Sequence, residues 1–112
     1  RVQAILDAHD IDYELRWHLS GEPFLTGPGQ LIDAVSKAVE EHTGRGPELS
    51  TGGGTSDGRF ISPAGVDVVE LGPISASIHK IDEHVRMDDV GTLTSMYQRI
   101  LELLLKGDAS RA

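Results

Sequence analysis

The densest chemical signal in the chain is the run Gly52-Gly53-Gly54-Thr55-Ser56-Asp57-Gly58-Arg59. Consecutive glycines let backbone N–H groups converge on an anion, and a helix starting just after them would add its positive end. A carboxylate or phosphate could be held there by amides, the Thr55 hydroxyl and Arg59. A nucleotide-binding Walker loop is excluded, because no Gly-Lys-Ser/Thr follows. The competing reading is a loop that binds nothing. His79, in Ser75-Ala76-Ser77-Ile78-His79-Lys80, is the second signal, since it follows a run of valines that reads as a buried strand. Ligands of α/β sheets gather beyond the carboxyl ends of the strands. A lone histidine is nevertheless more often a hydrogen-bonded surface residue than a metal ligand. His9, His18, His42 and His84 match no zinc spacing, and there is no cysteine. Asp82-Glu83 and Asp88-Asp89 read as solvation and helix capping, with Asp88 the expected cap. Ser56, Asp57 and His79 lack the Gly-x-Ser-x-Gly turn that would make a nucleophile of the serine.

Elements that would position these residues can be read from periodicity. Val2, Ile5 and Leu6 share one face of a short helix over residues 1–9 that starts at Arg1 without a cap, as if it continued something earlier. Tyr13, Leu15, Trp17 and Leu19 alternate with polar residues, the pattern of a half-buried strand. Five glycines and prolines between Gly21 and Gly29 mark a crossover. From Pro28 a helix is predicted, with Leu31, Ile32, Val35, Ala38, Val39 and His42 on one face and Gly44 as its stop. Glu48–Ser50 is a candidate short strand. Val66–Leu71 is a second strand, dense enough for burial on both faces. The last helix carries Val90, Leu93, Tyr97, Ile100, Leu101 and Leu104, and a frayed tail is expected from Gly107. Helices alternating with strands around glycine-rich junctions define an α/β chain.

Composition narrows the partners. The 112 residues include 10 basic and 18 acidic side chains, a net charge of −8, which disfavours nucleic acid. No apolar run approaches the roughly 20 residues of a membrane span. The lack of cysteine excludes a disulfide framework and fits a reducing cytoplasm.

Two segments together resemble a known family. Ser50–Ile61, and then Val69-Glu70-Leu71-Gly72-Pro73-Ile74-Ser75-Ala76-Ser77-Ile78-His79-Lys80-Ile81-Asp82-Glu83-His84-Val85, are similar to the co-catalytic di-zinc metallopeptidase and aminoacylase family, which includes acetylornithine deacetylase and glutamate carboxypeptidases. Trp17–Thr26 and Met96–Glu102 share the likeness. The resemblance implies a two-domain, dimeric, cytoplasmic enzyme: an α/β zinc-hydrolase catalytic domain interrupted by a smaller αβ lid and dimerisation domain. Residues 1–22 would be the last helix and strand of the lid, and residues 23–112 the C-terminal part of the catalytic domain. On this mapping His79 is the family's C-terminal zinc ligand. Gly54 and Thr55 hold a substrate carboxylate, and Ser75 stands where relatives carry an asparagine that touches substrate. Glu83 braces the loop. The implied reaction is hydrolysis of N-succinyl-LL-2,6-diaminopimelate, in lysine biosynthesis, with acetylornithine deacetylation as the alternative. Two zinc ions, replaceable by cobalt, would serve it. A catalytic zinc takes about three protein ligands, and this chain matches one. Alone it is expected to be inactive, to bind zinc weakly at best and to be prone to self-association. A non-catalytic carboxylate-binding module is the reading from another class.

Overall fold

The computed structural model describes residues 1–9, 11–52, 54, 56–74 and 76–106. The expected tail from Gly107 lies outside them. Among the described residues four α-helices follow in order: α1 (Val2–Ala8), α2 (Gln30–Thr43), α3 (Gly58–Ile61) and α4 (Met87–Leu105), with a 3-10 turn at Ser62–Ala64 after α3.

Helix α2 starts two residues later than its proline suggests, with Pro28 and Gly29 outside the first turn and Asp33 inside it, where a carboxylate meets the positive end of the helix. Its stop is the expected one. Gly44 turns left-handed (φ 71°) and its N–H reaches Glu40 O at 2.9 Å. Ala34, Val35 and Ala38 form the buried stripe. Ala38 has no exposed surface, so the facing helix comes close at that point.

That facing helix is α4. Ile100 packs into the stripe, Met96 is buried one turn earlier, and Leu31, Val39, Val69, Leu71 and Leu103 close the sides. Across the solvent edge Arg99 clamps Glu41 with bonds of 2.7 and 3.2 Å. The Arg99 guanidinium holds the Glu41 carboxyl below its usual range, and Glu41 in turn raises Arg99. Glu102 is lowered chiefly by the Gln98 amide and then by the Lys106 charge. The expected Asp88 cap is not made. Arg86 is the residue before the helix, and Asp88 and Asp89 instead lie within the first turn, favoured there by the dipole rather than by a cap bond.

The expected strands are absent among the described residues, where Tyr13–Ser20, Glu48–Ser50 and Val66–Leu71 are all non-helical and unpaired. A strand exists only where a neighbour's backbone takes its N–H and C=O groups, and no backbone ladder forms among the described residues. Trp17 and Leu19 are accordingly about three-quarters exposed. Tyr13 is tied to α1 through a 2.8 Å bond to Asp7, which raises the phenol above its ordinary pKa. Val66 is exposed and Val68 and Val69 only half-buried, so burial on both faces is not found. Side chains substitute for a ladder partner here. Thr26 Oγ1 donates to Val68 O at 2.5 Å and accepts from Val68 N–H at 3.0 Å. Tyr97 Oη donates to Leu71 O at 2.7 Å, fastening the same segment to α4. The radius of gyration is 19.6 Å, against about 13 Å for a compact chain of this length. The α2–α4 pair is thus the packed nucleus of an elongated molecule.

Candidate functional site: the glycine loop and the histidine turn

The glycine loop is framed by two serines. Ser50 Oγ accepts Gly52 N–H and Ser56 Oγ accepts Gly58 N–H, each at 2.9 Å. The second bond is a local serine turn just ahead of α3, whose first residue is Gly58. Gly54 is exposed, and a Cβ built on it would meet nothing within 4 Å. Thr55 and Ser75, the other expected substrate contacts, lie outside the described residues. Helix α3 has only four residues, too few peptide dipoles in line to give the positive end expected from the sequence.

Gly58 anchors the loop to the rest of the chain. It is buried, and a Cβ there would stand 2.8 Å from both Phe24 Cζ and Val68 Cγ1. Only glycine fits without displacing one of them. The Thr26–Val68 clip thus holds both walls of the Gly58 seat. Next to it the Arg59 side chain passes Gly21 so closely that a Cβ on Gly21 would lie 2.6 Å from Arg59 Cδ. The guanidinium carbon sits 4.6 Å from the Phe60 ring centroid, a cation–π distance. Arg59 Nε is closed off from solvent and meets no acceptor among the described residues.

His79 lies on a tight turn with two left-handed residues, His79 (φ 59°) and Asp82 (φ 60°). Such angles are uncommon outside glycine, with His and Asp among the more tolerant types. The turn is secured from several sides. Ser77 Oγ donates to His84 O at 2.8 Å and accepts His84 N–H at 3.0 Å, closing a clasp across seven positions. Lys80 N–H reaches Ser77 O at 3.0 Å, and Lys80 Nζ reaches Ala76 O at 2.8 Å. Glu83 Oε2 accepts His79 N–H at 3.3 Å, so its carboxylate braces the backbone, the part expected of it. The His84 ring is occupied with Asp82 O at 2.8 Å. His79 is exposed at the apex, and its ring takes part in none of these bonds.

Among the described residues no three His, Asp or Glu side chains converge to hold a metal ion. His79 by itself does not make a zinc site, and Glu83 is turned to the backbone. Ser56 Oγ accepts the Gly58 N–H, and no hydrogen bond joins it to His79 among the described residues. An open polar depression of about 210 Å³ on the α2–α4 seam is lined by His42, Ser95, Gln98, Arg99 and Glu102. Its charged groups are already paired with one another or with Glu41, and it lies apart from both motifs.

The chain belongs to peptidase family M20/M25/M40, whose sequence model matches residues 4–103. Its curated relatives include the succinyl-diaminopimelate desuccinylase of Thioalkalivibrio sulfidiphilus, 62% identical over 105 residues. The proteins of the same name from Marinobacter nauticus and an Azoarcus species are 59% and 55% identical over the same length. In each case 94% of this chain is covered but 28% of the relative, so the chain spans little more than a quarter of the length of these proteins. No helix of the described residues is long and apolar enough to cross a membrane.

Proposed function

We propose that this chain supplies the C-terminal part of a zinc-dependent amide hydrolase that cleaves N-succinyl-LL-2,6-diaminopimelate to succinate and LL-diaminopimelate. The observation that carries the reading is the 62% and 59% identity to desuccinylases over 105 residues, 94% of this chain. Residues 1–22 belong to the lid and dimerisation domain, and residues 23–112 to the α/β catalytic domain. In that setting Tyr13–Ser20 and Val66–Leu71 pair with strands contributed from elsewhere in the protein. The enzyme acts in the cytoplasm as a homodimer.

Within this reading the chain's own task is recognition. Gly54 and Thr55 are assigned to a substrate carboxylate and Ser75 to a further substrate contact. Serine at position 75 offers one short hydroxyl. His79 contributes one zinc ligand from its braced turn. A catalytic zinc takes about three protein ligands and this chain matches one, so the reading assigns the other ligands and the catalytic base to the rest of the protein and expects the isolated chain to be inactive. Support for the histidine's part is geometric. Its backbone is fixed on both sides while its ring is free of the bonds that fasten the turn.

The test is hydrolysis by the intact enzyme. His79→Ala abolishes turnover and lowers retained zinc, whereas His84→Ala, whose ring serves only the Asp82 carbonyl, keeps most of both. Equal activity in wild type and His79→Ala would overturn the ligand assignment. Faster cleavage of N-acetylornithine than of the succinylated substrate would move the reading to an acetylornithine deacetylase-like relative.

A further inference from the structure

We propose that Arg59 is an anion-binding residue, its guanidinium taking a carboxylate of the substrate beside the glycine loop. The proposal rests on reading that loop as a carboxylate site. Its ground, however, is the arginine's own surroundings.

In a chain with 18 acidic and 10 basic side chains, an arginine without a carboxylate is conspicuous. Arg16, Arg86 and Arg99 each have one, at 2.6, 3.6 and 2.7 Å. Arg1 and Arg45 are exposed, where water serves as partner. Arg59 differs from both groups. It is half-buried, its Nε is shut off from water, and no acceptor among the described residues meets it. A half-buried guanidinium with no carboxylate beside it among the described residues keeps an unbalanced charge, and its N–H groups other than Nε are left for an anion from outside.

The side chain is also held in advance. Its stem runs against Gly21, where no Cβ could stand, and its charged plane is fixed by the Phe60 ring. Its backbone follows the buried Gly58, which is locked between Phe24 and Val68. A long side chain held this way has already lost much of the freedom that binding would otherwise remove. With Nε enclosed, the remaining guanidinium donors are those that reach solvent. A planar fork of this kind suits a carboxylate, which accepts two parallel N–H bonds. Diaminopimelate and succinate present such groups, and the loop carrying Gly54 ends at this residue.

The experiment compares wild type, Arg59→Lys and Arg59→Gln in the intact enzyme. Its readouts are KM and kcat on N-succinyl-diaminopimelate, and the thermal midpoint with and without succinate or LL-diaminopimelate. Loss of a charge-assisted bidentate bond raises KM by roughly 10- to 100-fold, more than it lowers kcat. Arg59→Gln removes the midpoint rise given by the ligand, and its unliganded midpoint is no lower than that of wild type. Arg59→Lys falls between, having the charge but not the fork. The proposal is overturned if Arg59→Gln lowers the unliganded midpoint while KM and the ligand-induced rise stay unchanged. Arg59 would then pair with a carboxylate of the protein itself. It is equally overturned if neither ligand raises the midpoint of wild type. If wild type fails to cleave the succinylated substrate, the functional reading falls, yet the dependence of the midpoint rise on Arg59 still decides this proposal.

Discussion

Gly58→Ala tests whether the glycine loop is seated by steric exclusion. The added methyl carbon would lie 2.8 Å from Phe24 Cζ, 2.8 Å from Val68 Cγ1 and 3.0 Å from Ser56 Oγ. All are closer than the roughly 3.5–4.0 Å at which carbon contacts are favourable. Overpacking of this kind costs about 1–3 kcal/mol. Replacing glycine within a helix regains up to about 1 kcal/mol, though α3, at four residues, realises only part of that. The net expectation is a loss of roughly 1–2 kcal/mol, read as a lower urea midpoint at unchanged slope. Gly54→Ala is the internal control, since its methyl group meets nothing within 4 Å and its φ is not left-handed. That variant should stay within about 0.5 kcal/mol of wild type. A Gly58→Ala protein as stable as wild type, or a Gly54→Ala protein weakened equally, would refute the reasoning.

Other expectations follow from individual bonds. Thr26→Val keeps the shape but strips Val68 of both its partners, and should cost about 1–3 kcal/mol in chemical denaturation. Tyr97→Phe, which frees one exposed carbonyl, should cost about 0.5–1 kcal/mol in the same assay. Ser77→Ala opens the clasp, and faster hydrogen exchange at the His84 amide would report it. Glu41 and Glu102 have lowered carboxyl pKa values in the folded chain. Their contribution is complete above the unfolded carboxylate value of about 4.3 and is lost as the pH falls through the lower folded values. Arg99→Met should therefore flatten the acid limb of a stability–pH profile, and an unchanged limb would count against the clamp.

Periodicity was a sound guide to α2 and α4, because a packed helix pair needs only one apolar stripe on each partner and both stripes are in the chain. At Tyr13–Ser20 the expected strand is not formed among the described residues. Alternation records which face wants burial, but a strand also needs a neighbour, and that is not written in its own residues. In the loop, the consecutive glycines 52–54 are legible as a place of conformational freedom, while the glycine that matters sterically is Gly58, near the end of the motif. Nothing in the spelling singles it out, since its constraint comes from Phe24 and Val68, distant in sequence. Arg59 was visible as a charge near the loop, but its lack of a partner is a three-dimensional property. The braced turn around His79 was half legible. Glu83 is four residues on and could be expected to reach back, whereas the Ser77 clasp pairs a hydroxyl with a backbone unit by a geometry no motif encodes.

The Thr26–Val68 bond pair has a topological consequence. It joins positions 42 apart, so α2, the glycine loop and α3 sit on a closed circuit of chain fastened at a single hydroxyl. The cost of closing such a circuit grows only with the logarithm of its length, about 0.6 kcal/mol for each doubling. Extra residues inserted at the Gly44–Pro47 turn would lengthen the circuit without moving its fastening. The seat of Gly58 depends on where the circuit is tied, and hardly on how far the chain travels between the ties.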